Sequence, residues 1–552
     1  MNLERTILLG LILMISGKAL NAQITERERP AQWKNLAYGG RFMDRFLAIP
    51  HVGELTEKVW GASEVIPRYV DNGIEDPEWS YWGGNIIKGD DGNYHLFVCR
   101  WREDSRKGHM EWDNSEVVHA ISETSFGPFK AKETIGPGHN PEAFQLKDGR
   151  YVIYVIDGRY VSNSINGPWK YGKFEFDTRD RPIIEGLSNL SFAQQEDGSY
   201  IMVCRGGGIW FSKDGLSPYY QVTNKRVYPP VEGRFEDPLI WRTNIQYHMI
   251  VNDWLGRIAY YLRSKNGVHW KVEPGEAYLP GITQYTDGTQ EDWFKYERIK
   301  VLQDDLGRGT QANFAVIDTI KWDDLGNDRH SSKNITIPLT VGRQLQILNR
   351  KKIDANTKTI RVRIKAEEGF DPHTDIDINS LRFGASEEVN FGRGSTIKKI
   401  RESGKDLIVI FYGEGHGITD NNFVGKLLGK SPKGKLLFGY ARLPKVNYTE
   451  PILSARIPKM ISKENGEEIA IEVQNFGQVS SKVSKIVVQY FEGDVERTTL
   501  SGKVPKLKPF QKEIIALGSH KTLEKGKKYT IKISLYHPRM NVVLFEKREV
   551  LE

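Results

Sequence analysis

The sequence predicts an all-β protein, with an N-terminal five-bladed β-propeller followed by two β-sandwich modules of immunoglobulin-like pattern. Three observations support this prediction. A turn-and-strand pattern recurs roughly every 50 residues in the first part of the chain, as in propeller blades. Helical periodicity is almost absent, and the second part alternates apolar and polar residues between turns. The length of 552 residues also favours several domains over one core.

The first predicted element is an export signal over residues 1–22. It has Arg5 near its start, an apolar run over 7–15 and a small residue at Ala22. The apolar run is too short to cross a bilayer as a helix, and the whole pattern is typical of a secretory signal peptide. We therefore expect an exported protein, periplasmic or secreted, with no membrane span after cleavage. A buried N-terminal helix is the alternative.

The second element is the repeat, which defines a predicted propeller domain over 23–330. Four segments place a turn before a tyrosine and then an apolar strand, and their tyrosines are Tyr94, Tyr151, Tyr200 and Tyr247. A fifth, weaker copy begins at Leu306. A second turn, closed by an aromatic residue, follows each of the first four strands, as in "SFGPF" and "INGPW". Such turns connect antiparallel strands, so five blades are predicted between residues 68 and 324.

The remaining elements are two sandwiches. Strand patterns such as "ITIPLTV" and "TIRVRIKAE" predict a β-sandwich over 331–445. Strict alternation in "SKIVVQYFEG" and "KYTIKISLYH" predicts an immunoglobulin-like sandwich over 446–552. Their strand faces carry Lys and Glu rather than exposed aromatic residues, which favours packing or spacing modules over sugar-binding ones.

Composition excludes several classes of function. The formal net charge is +7, which suits an anionic polysaccharide as well as ordinary solubility. No dense Lys/Arg tract is interleaved with aromatic residues, so we do not expect a nucleic-acid partner. The chain has only two cysteines, Cys99 and Cys204, and no CxxC pair. The segment "GKSPKGKL" ends in Leu436 where a phosphate loop requires Ser or Thr.

Polar residues precede the first strand of each predicted blade. They are Asn85, Asn140, Asn189 and Asp237, with Glu297 and Arg298 in the fifth copy. In a propeller these positions converge on the central axis, where polar groups need water, partners or a ligand. The functional site is therefore predicted at this funnel.

Carboxylates are the first candidates for chemistry. Glycoside hydrolysis needs a general acid on one side of the sugar and a base or nucleophile on the other. Two Glu-Asp-Pro triplets supply Asp76 and Asp237, and the fifth copy supplies Glu297. These three are the predicted catalytic residues. The alternative for each is a structural role, as a turn cap or in a buried ion pair.

Further candidates would protonate or bind the substrate. The acidic and histidine side chains are reserve acids or bases, the tryptophans stack on sugar rings, and the amide and arginines bind hydroxyl, sulfate or carboxylate groups. Packing and salt bridges between blades are the alternatives. These candidates are Glu236, His139, Glu142, Asn189, Arg298, Trp79, Trp82, Arg100 and Arg205.

The motifs "GHNPEAFQLKDGRYV", "SFGPF", "FEDPLIW" and "YERIKVLQDDLG" resemble those of five-bladed propeller glycosidases of families 43 and 117. The resemblance covers residues 68–325. It implies an acid, a base and a pKa modulator around the funnel, and inversion of configuration. By blade position it implies that Asp76 is the base and that Asp237 and Glu297 are the other acidic groups. Blade three departs from family 43, since Asn189 stands where an acid is expected.

The resemblance to family 117 further implies a red-algal galactan as substrate. The predicted function is thus an exported, exo-acting glycoside hydrolase that cleaves terminal sugars from oligosaccharides of an anionic polysaccharide. No cofactor is required for this chemistry, while Ca²⁺ or another divalent cation in the propeller channel stays an open alternative. A non-catalytic carbohydrate-binding propeller and a polysaccharide lyase are the competing functions. The sequence leaves the sugar, the linkage, metal ligands and the oligomeric state open.

Overall fold

A computed structural model describes residues 26–51, 53, 55–56, 68–216, 218–291, 293–330, 332–463, 466–518, 529–536 and 543–551. The predicted signal over 1–22 lies outside these residues. The regular secondary structure of the described chain is almost entirely β-strand, which confirms the all-β prediction. Its helices are short: 3₁₀ turns at Ala31–Asn35, Met43–Arg45 and Gly108–Asn114, and the α-helical turn α1 at Ser386–Val389.

Five consecutive antiparallel sheets, named sheets I to V, occupy the first part of the chain. A two-stranded ribbon precedes them, with β1 at Leu55–Thr56 and β2 at Arg68–Tyr69. Sheet I contains β3 (Trp79–Lys88), β4 (Tyr94–Arg102), β5 (Glu116–Ser122) and β6 (Lys130–Pro137). Sheet II contains β7 (Glu142–Gln145), β8 (Tyr151–Val155), β9 (Gly158–Ser162) and β10 (Lys170–Gly172).

Sheets III to V repeat this order. Sheet III has β11 (Phe176–Asp177), β12 (Ser191–Gln194), β13 (Tyr200–Val203), β14 (Ile209–Ser212) and β15 (Tyr219–Gln221), with β11 parallel to β15. Sheet IV has β16 (Phe235–Arg242), β17 (Tyr247–Asp253), β18 (Ile258–Ser264) and β19 (Trp270–Tyr278). After the ribbon of β20 (Thr283–Gln284) and β21 (Gln290–Glu291), sheet V has β22 (Lys295–Gln303), β23 (Gly309–Ile317) and β24 (Ser332–Pro338).

The first strands of the five sheets, counted as β3, β7, β12, β16 and β22, adjoin one another in a closed circle, while β11 lies at the opposite edge of sheet III from β12. Strand β3 contacts β7, β12 contacts β16, β16 contacts β22, and β22 contacts β3. Sheets II and III are joined by hydrogen bonds from Ser191 and Phe192 to the Glu142 carboxylate, at 3.1 and 2.9 Å. Apolar side chains fill the spaces between neighbouring sheets, for example between sheets IV and V. The circle brings the starts of all five first strands to one axis.

The end of this circle differs from the prediction. The segment "ITIPLTV" was expected to open the next module after residue 330, but β24 pairs with β23 throughout Ser332–Pro338. Residues just before sheet I complete the outer edge, since Ile74 bridges Asn334 and the Asn72 amide donates to the Thr336 carbonyl at 2.9 Å. Residues just before the repeat thereby pair with its last strand. A local strand pattern does not reveal such a long-range pairing.

The next unit is one seven-stranded sheet that curls on itself. Its strands are β25 (Arg343–Ile347), β26 (Thr359–Ile364), β27 (Asp377–Gly384), β28 (Ile397–Ser403), β29 (Asp406–Tyr412), β30 (Val424–Lys430) and β31 (Leu436–Arg442). Their order is β27-β30-β31-β25-β26-β29-β28. The edge strands β27 and β28 come together again, and the rings of Phe383 and Phe411 stack at 5.5 Å inside. The sheet is therefore nearly closed, like a barrel.

The last unit consists of two four-stranded sheets around one core. The first contains β32 (Leu453–Ala455), β33 (Lys459–Lys463), β34 (Gly466–Asn475) and β37 (Lys512–Gly518). The second contains β35 (Ser484–Glu492), β36 (Val495–Val504), β38 (Tyr529–Tyr536) and β39 (Val543–Leu551). Buried Arg179 fixes this unit to sheet III, because its guanidinium reaches Glu472 and Gln474, each at 2.9 Å.

Candidate functional site

Five residues with left-handed backbone mark the axis, one in each sheet or just before it. In sheets I, IV and V they lie where the pairing of the first two strands shifts register. In sheets II and III they lie two residues before the first strand. Asn and Asp tolerate this backbone well, whereas a bulky residue adopts it rarely and at a cost. The five are Gly83 (φ 63°), Asn140 (53°), Asn189 (49°), Asp237 (51°) and Arg298 (54°).

The side chains of four of these residues form a hydrogen-bonded ring, named the axial ring. Asn140 donates to the Asn189 carbonyl oxygen at 2.9 Å, and the Asn189 amide donates to Asp237 Oδ1 at 3.0 Å. Arg298 Nη1 also donates to Asp237 Oδ1 at 3.0 Å, and Arg298 Nη2 closes the ring by donating to the backbone carbonyl of Asn140 at 3.3 Å. The structure thus brings together three predicted site residues from sheets III, IV and V.

Asp237 is held on all sides within the axial ring. Its side chain accepts from Asn189 and Arg298, and the Arg298 backbone N–H donates to its second oxygen at 3.2 Å. The residue is only 2% exposed. A carboxylate with these partners balances the buried guanidinium charge, which is a structural use of the group. Its predicted catalytic role remains a prediction.

Two buried atoms of the axial ring lack a hydrogen-bond partner within the described residues: Asn140 Oδ1 and Arg298 Nε. Both lie beneath Gly83, where a Cβ atom would be 3.5 Å from the first and 3.7 Å from the second. Gly83, not the predicted Asn85, is therefore the sheet I counterpart of the ring residues. Asn85 instead ties sheet I to sheet II, since its amide exchanges two hydrogen bonds with the Ala143 backbone.

Glu236 directly precedes the ring residue of sheet IV and keeps partial contact with solvent, its side chain being 18% exposed. Burial raises the pKa of Glu236 to about 7, and the nearby carboxylates of Asp237 and Glu297 add to the rise. Lys321 and Arg205 act in the opposite direction, the latter through an ion pair at 2.7 Å. A carboxyl group with this pKa is half protonated at neutral pH, as a general acid requires.

Glu297 occupies the same position in sheet V and is 2% exposed. Lys321 Nζ contacts its Oε2 at 2.5 Å, and Lys295 Nζ lies 3.8 Å from its Oε1. Oε1 itself has no hydrogen-bond partner among the described residues, although it is buried. A cavity of about 10 Å³ lies beside Glu297 and is also lined by Lys295 and Trp254. That volume holds about one water molecule, which would satisfy Oε1.

The two lysines respond differently to burial. Burial lowers the pKa of Lys295, and Glu297 only partly restores it. For Lys321, burial acts in the same sense, but Glu297 and Glu236 more than offset it, so the pKa of Lys321 is raised. Lys321 is therefore the charged group that links both carboxylates. Neither lysine was predicted from the sequence. Lys295 could have been, because it lies on the same side of β22 as Glu297. Lys321 could not, because it lies in a loop that has no recognisable sequence pattern.

Aromatic residues pack next to Lys321. Lys321 Nζ lies 4.9 Å from the Trp82 ring centre, and Trp82 meets His109 edge-on at 4.6 Å. Burial holds the pKa of His139 well below its usual range, and Arg298 and Lys321 lower it further. The His139 Nδ1 atom lies 3.0 Å from Ser115 Oγ. A neutral, buried imidazole of this kind is a poor proton donor, which weighs against His139 as a reserve acid.

Asp76 belongs to a separate group on sheet I. Its Oδ1 accepts from the backbone N–H of Glu78 at 2.9 Å and of Trp79 at 3.1 Å, and Tyr81 Oη donates to its Oδ2. The Arg100 guanidinium stacks on the Trp79 ring at 3.8 Å. Within the described residues, the hydrogen-bond partners of Asp76 all lie within residues 78–81, where the carboxylate closes a turn.

Glu142 is a joint between sheets rather than an open group. It forms an ion pair with Lys300 of sheet V and accepts two hydrogen bonds from sheet III. Across the described residues, no group of three or more His, Cys, Asp or Glu side chains is placed to hold a metal ion. No helix in these same parts of the chain is long and apolar enough to cross a membrane.

No protein-family model matches the chain, and no curated protein sequence matches it. Among solved structures it is similar to Zg3597, a family 117 glycoside hydrolase from Zobellia galactanivorans, with 12% identity, 53% of this chain and 89% of that chain covered, and a TM-score of 0.33. It is also similar to an α-L-arabinofuranosidase from Lactobacillus brevis, with 12% identity, coverage of 48% and 91%, and a TM-score of 0.33. It is similar as well to a thermostable family-43 glycoside hydrolase, with 12% identity, 48% of this chain and 93% of that chain covered, and a TM-score of 0.30. Family 117 and family 43 are named for the first and the third of these structures, respectively.

Proposed function

We propose that this chain is a glycoside hydrolase, and we infer that sheets I to V are the blades of a five-bladed β-propeller. One observation carries the proposal: Glu236, with a pKa raised to about 7, interacts electrostatically with a second carboxylate, Glu297. We name the group of Glu236, Glu297, Lys321 and Arg205 beside the axial ring its mouth. Two carboxyl groups of unlike environment are what acid–base hydrolysis of a glycosidic bond requires.

In this proposal Glu236 is the general acid and Glu297 the general base. Glu236 gives its proton to the glycosidic oxygen as the bond from that oxygen to the anomeric carbon breaks. Glu297 removes a proton from a water molecule whose oxygen forms the new bond to that carbon. The unpartnered Glu297 Oε1 and the cavity beside it support the water position. Attack by water on the face opposite the leaving group inverts the configuration.

The surroundings favour an anionic substrate. Lys321, Lys295 and Arg205 all lie within contact of the two carboxylates, so the mouth of the ring is rich in positive charge. Sulfate or carboxylate groups on a polysaccharide would complement it. Export through the signal at 1–22 and exo-action on terminal sugars, with a red-algal galactan as one source, complete the proposal. Both rest on the sequence pattern and the resemblance alone.

A non-catalytic carbohydrate-binding propeller is the second candidate. The axial ring itself favours it, because Asp237 is neutralised by Arg298, and sheets I to III place glycine and two amides at the axis. A ring of this kind could hold a sugar without cleaving it. Hydrolysis then depends on Glu236 and Glu297 alone.

The test is digestion of a panel of neutral, sulfated and uronate-containing oligosaccharides, with products identified by mass spectrometry and their first-formed anomer by NMR. Glu236→Gln and Glu297→Gln should each abolish turnover while leaving the fold intact. Glu232→Gln is the matched control, because that side chain is 93% exposed and lies four residues before Glu236.

Asp76→Asn separates the two assignments of the base. If Asp76 only closes its turn, turnover persists in Asp76→Asn and is lost in Glu297→Gln. The reverse result assigns the base to Asp76, as the resemblance implies. Binding of an oligosaccharide by the wild type, with no product from any member of the panel, would favour the binding function instead.

A further inference from the structure

A second cavity lies between sheets IV and V and the seven-stranded sheet. Its volume is about 320 Å³, at the lower end of the range for small-molecule sites. Trp241 lines it, five residues along β16 from Glu236, which corresponds to about 16 Å of strand. The cavity is therefore distinct from the candidate hydrolytic site, and an inference about it does not depend on the proposed function.

The lining of this cavity is strongly cationic. Arg45, Arg308, Arg343 and Lys365 contribute to it, whereas none of its lining residues is Asp or Glu. Arg308 is balanced, since it pairs with Asp304 at 2.7 Å and with a second carboxylate. Within the described residues, neither Arg45 nor Arg343 has a carboxylate within 4.0 Å. Neither guanidinium is therefore in a direct ion pair, and the carboxylates of Glu367 and Asp375 act on Arg343 only from a greater distance.

Of these two arginines, Arg45 gives the stronger evidence for an anionic ligand, because it is only 7% exposed. Its guanidinium lies 4.5 Å from the Phe42 ring centre and 4.2 Å from that of Phe438. It donates one hydrogen bond, from Nη2 to Tyr440 Oη at 3.2 Å. A buried cation is costly unless an anion or several acceptors compensate it, and a guanidinium fork fits an oxyanion well.

The other lining groups suit a compact ring that carries hydroxyl groups. Trp241, Phe438 and Tyr440 supply aromatic surface, and Asn244 and Gln344 supply amides that both donate and accept hydrogen bonds. Aromatic surface with a few placed polar groups is the usual make-up of a small-molecule site. A sugar combines a ring of this size with hydroxyl groups, and the arginines add a requirement for negative charge.

We propose that this cavity is a second ligand site, which binds a monosaccharide unit that bears one carboxylate or sulfate group. Arg45 holds the anion from inside the cavity, and Arg343 holds it from the half-buried rim. The shared chemistry is an oxyanion on a sugar ring, and a uronate or a sulfated sugar can supply it. Because the circle of five sheets and the seven-stranded sheet meet here, the bound ligand also bridges the propeller and the curled sheet.

The full-length protein is titrated by calorimetry with glucuronate, galactose 6-sulfate and neutral galactose. We expect saturable binding of one or both anionic sugars, and binding about ten- to a hundredfold weaker for galactose, the value of a charge-assisted hydrogen bond. Arg45→Met should weaken the anionic sugar by a similar factor. If the Arg45→Met protein fails to fold, Arg343→Gln tests the proposal instead, because the Arg343 side chain lies at the rim of the cavity. Arg401→Met, on the exposed face of β28, is the matched control. It removes one positive charge and should not change the affinity for any of the sugars.

The three probes separate the outcomes. Binding of glucuronate alone assigns a uronate, binding of the sulfated sugar alone assigns a sulfate, and binding of both assigns a general oxyanion site. No saturation by either anion up to about 10 mM overturns the proposal, since even weak specific sites bind in that range. Equal affinity for galactose, or equal weakening by Arg401→Met, overturns the role of the two arginines.

Discussion

Glu236 offers a test of the site that needs no substrate. The pKa of its carboxyl group rises from 4.5 to about 7 on folding, mainly because the side chain is buried. The folded state binds this proton more tightly than the unfolded state does. The group therefore contributes its full share to stability only at pH values where it is protonated in both the folded and the unfolded state. That contribution is complete below pH 4.5 and is lost as the pH rises to 7. The variant Glu236→Gln carries no charge and escapes this loss.

The magnitude follows from the change in pKa. One unit corresponds to about 1.4 kcal/mol, so a rise from 4.5 to about 7 costs the wild type about 3 kcal/mol at alkaline pH. The attraction of Arg205 and Lys321 is already contained in that pKa. We therefore expect Glu236→Gln to be more stable than the wild type by about 3 kcal/mol at pH 8. At pH 4 the two proteins should be equally stable.

The measurement is urea-induced unfolding at pH 4, 6 and 8, followed by tryptophan fluorescence. The gain should first appear between pH 4.5 and 7 and reach a plateau above pH 7. Glu232→Gln, whose side chain is 93% exposed, should show no pH-dependent gain. An unchanged free energy of unfolding at pH 8, or an equal change at pH 4 and pH 8, would refute the buried, protonated carboxyl group. The assignment of Glu236 as general acid would fall with it.

Three further substitutions probe the surrounding charges. Lys321→Met removes a charge that lowers the pKa of Glu236, so that pKa should rise further, by about one unit in an NMR titration. Asp237→Asn leaves Arg298 without its buried counter-charge, and we expect a loss of about 3–5 kcal/mol in urea-induced unfolding. Arg179→Met removes the buried cation between sheet III and the last unit, and a loss of about 3 kcal/mol should accompany earlier unfolding of that unit.

Each of these substitutions has a surface control. Lys352→Met and Arg401→Met remove the same charges from exposed positions, and Asp148→Asn breaks an exposed pair with Arg150. Such changes should cost less than about 1 kcal/mol. A pKa of Glu236 that stays constant without Lys321 would contradict the link between them. Losses no larger than the controls would contradict the buried ion pairs.

The all-β class and the repeated hairpins could be predicted from the sequence because their signals are local, whereas the β-sandwich predicted over 331–445 is one curled sheet. A turn before a tyrosine and an apolar strand specifies a hairpin whatever the rest of the chain does. The order and number of the five sheets follow from four clear copies and one weak one. The pairing of β24 with β23 could not be predicted, because a strand pattern names no partner. The curled seven-stranded sheet likewise depends on contact between its two distant edges.

The convergence of the axial residues could be predicted from the sequence, whereas the role of each residue could not. Asn140, Asn189, Asp237 and Arg298 were all singled out because they precede first strands, and the structure joins them in one ring. In sheet I the expected residue was Asn85, but a double glycine shifts the register there and places Gly83 at the axis. Such a shift arises from backbone conformation, which only the positive φ angles reveal.

Glu236 and Asp237 show why the role of a carboxylate escapes sequence reasoning. The two are adjacent on one strand, so their side chains leave it in different directions. Asp237 turns into the axis and meets Arg298, which lies 61 positions later in the chain. Glu236 turns to the mouth, where burial and neighbouring carboxylates outweigh Arg205 and raise its pKa. Two neighbouring carboxyl groups thus differ, one being a buried ion-pair partner and the other a group with a raised pKa, because the deciding partners come from another sheet.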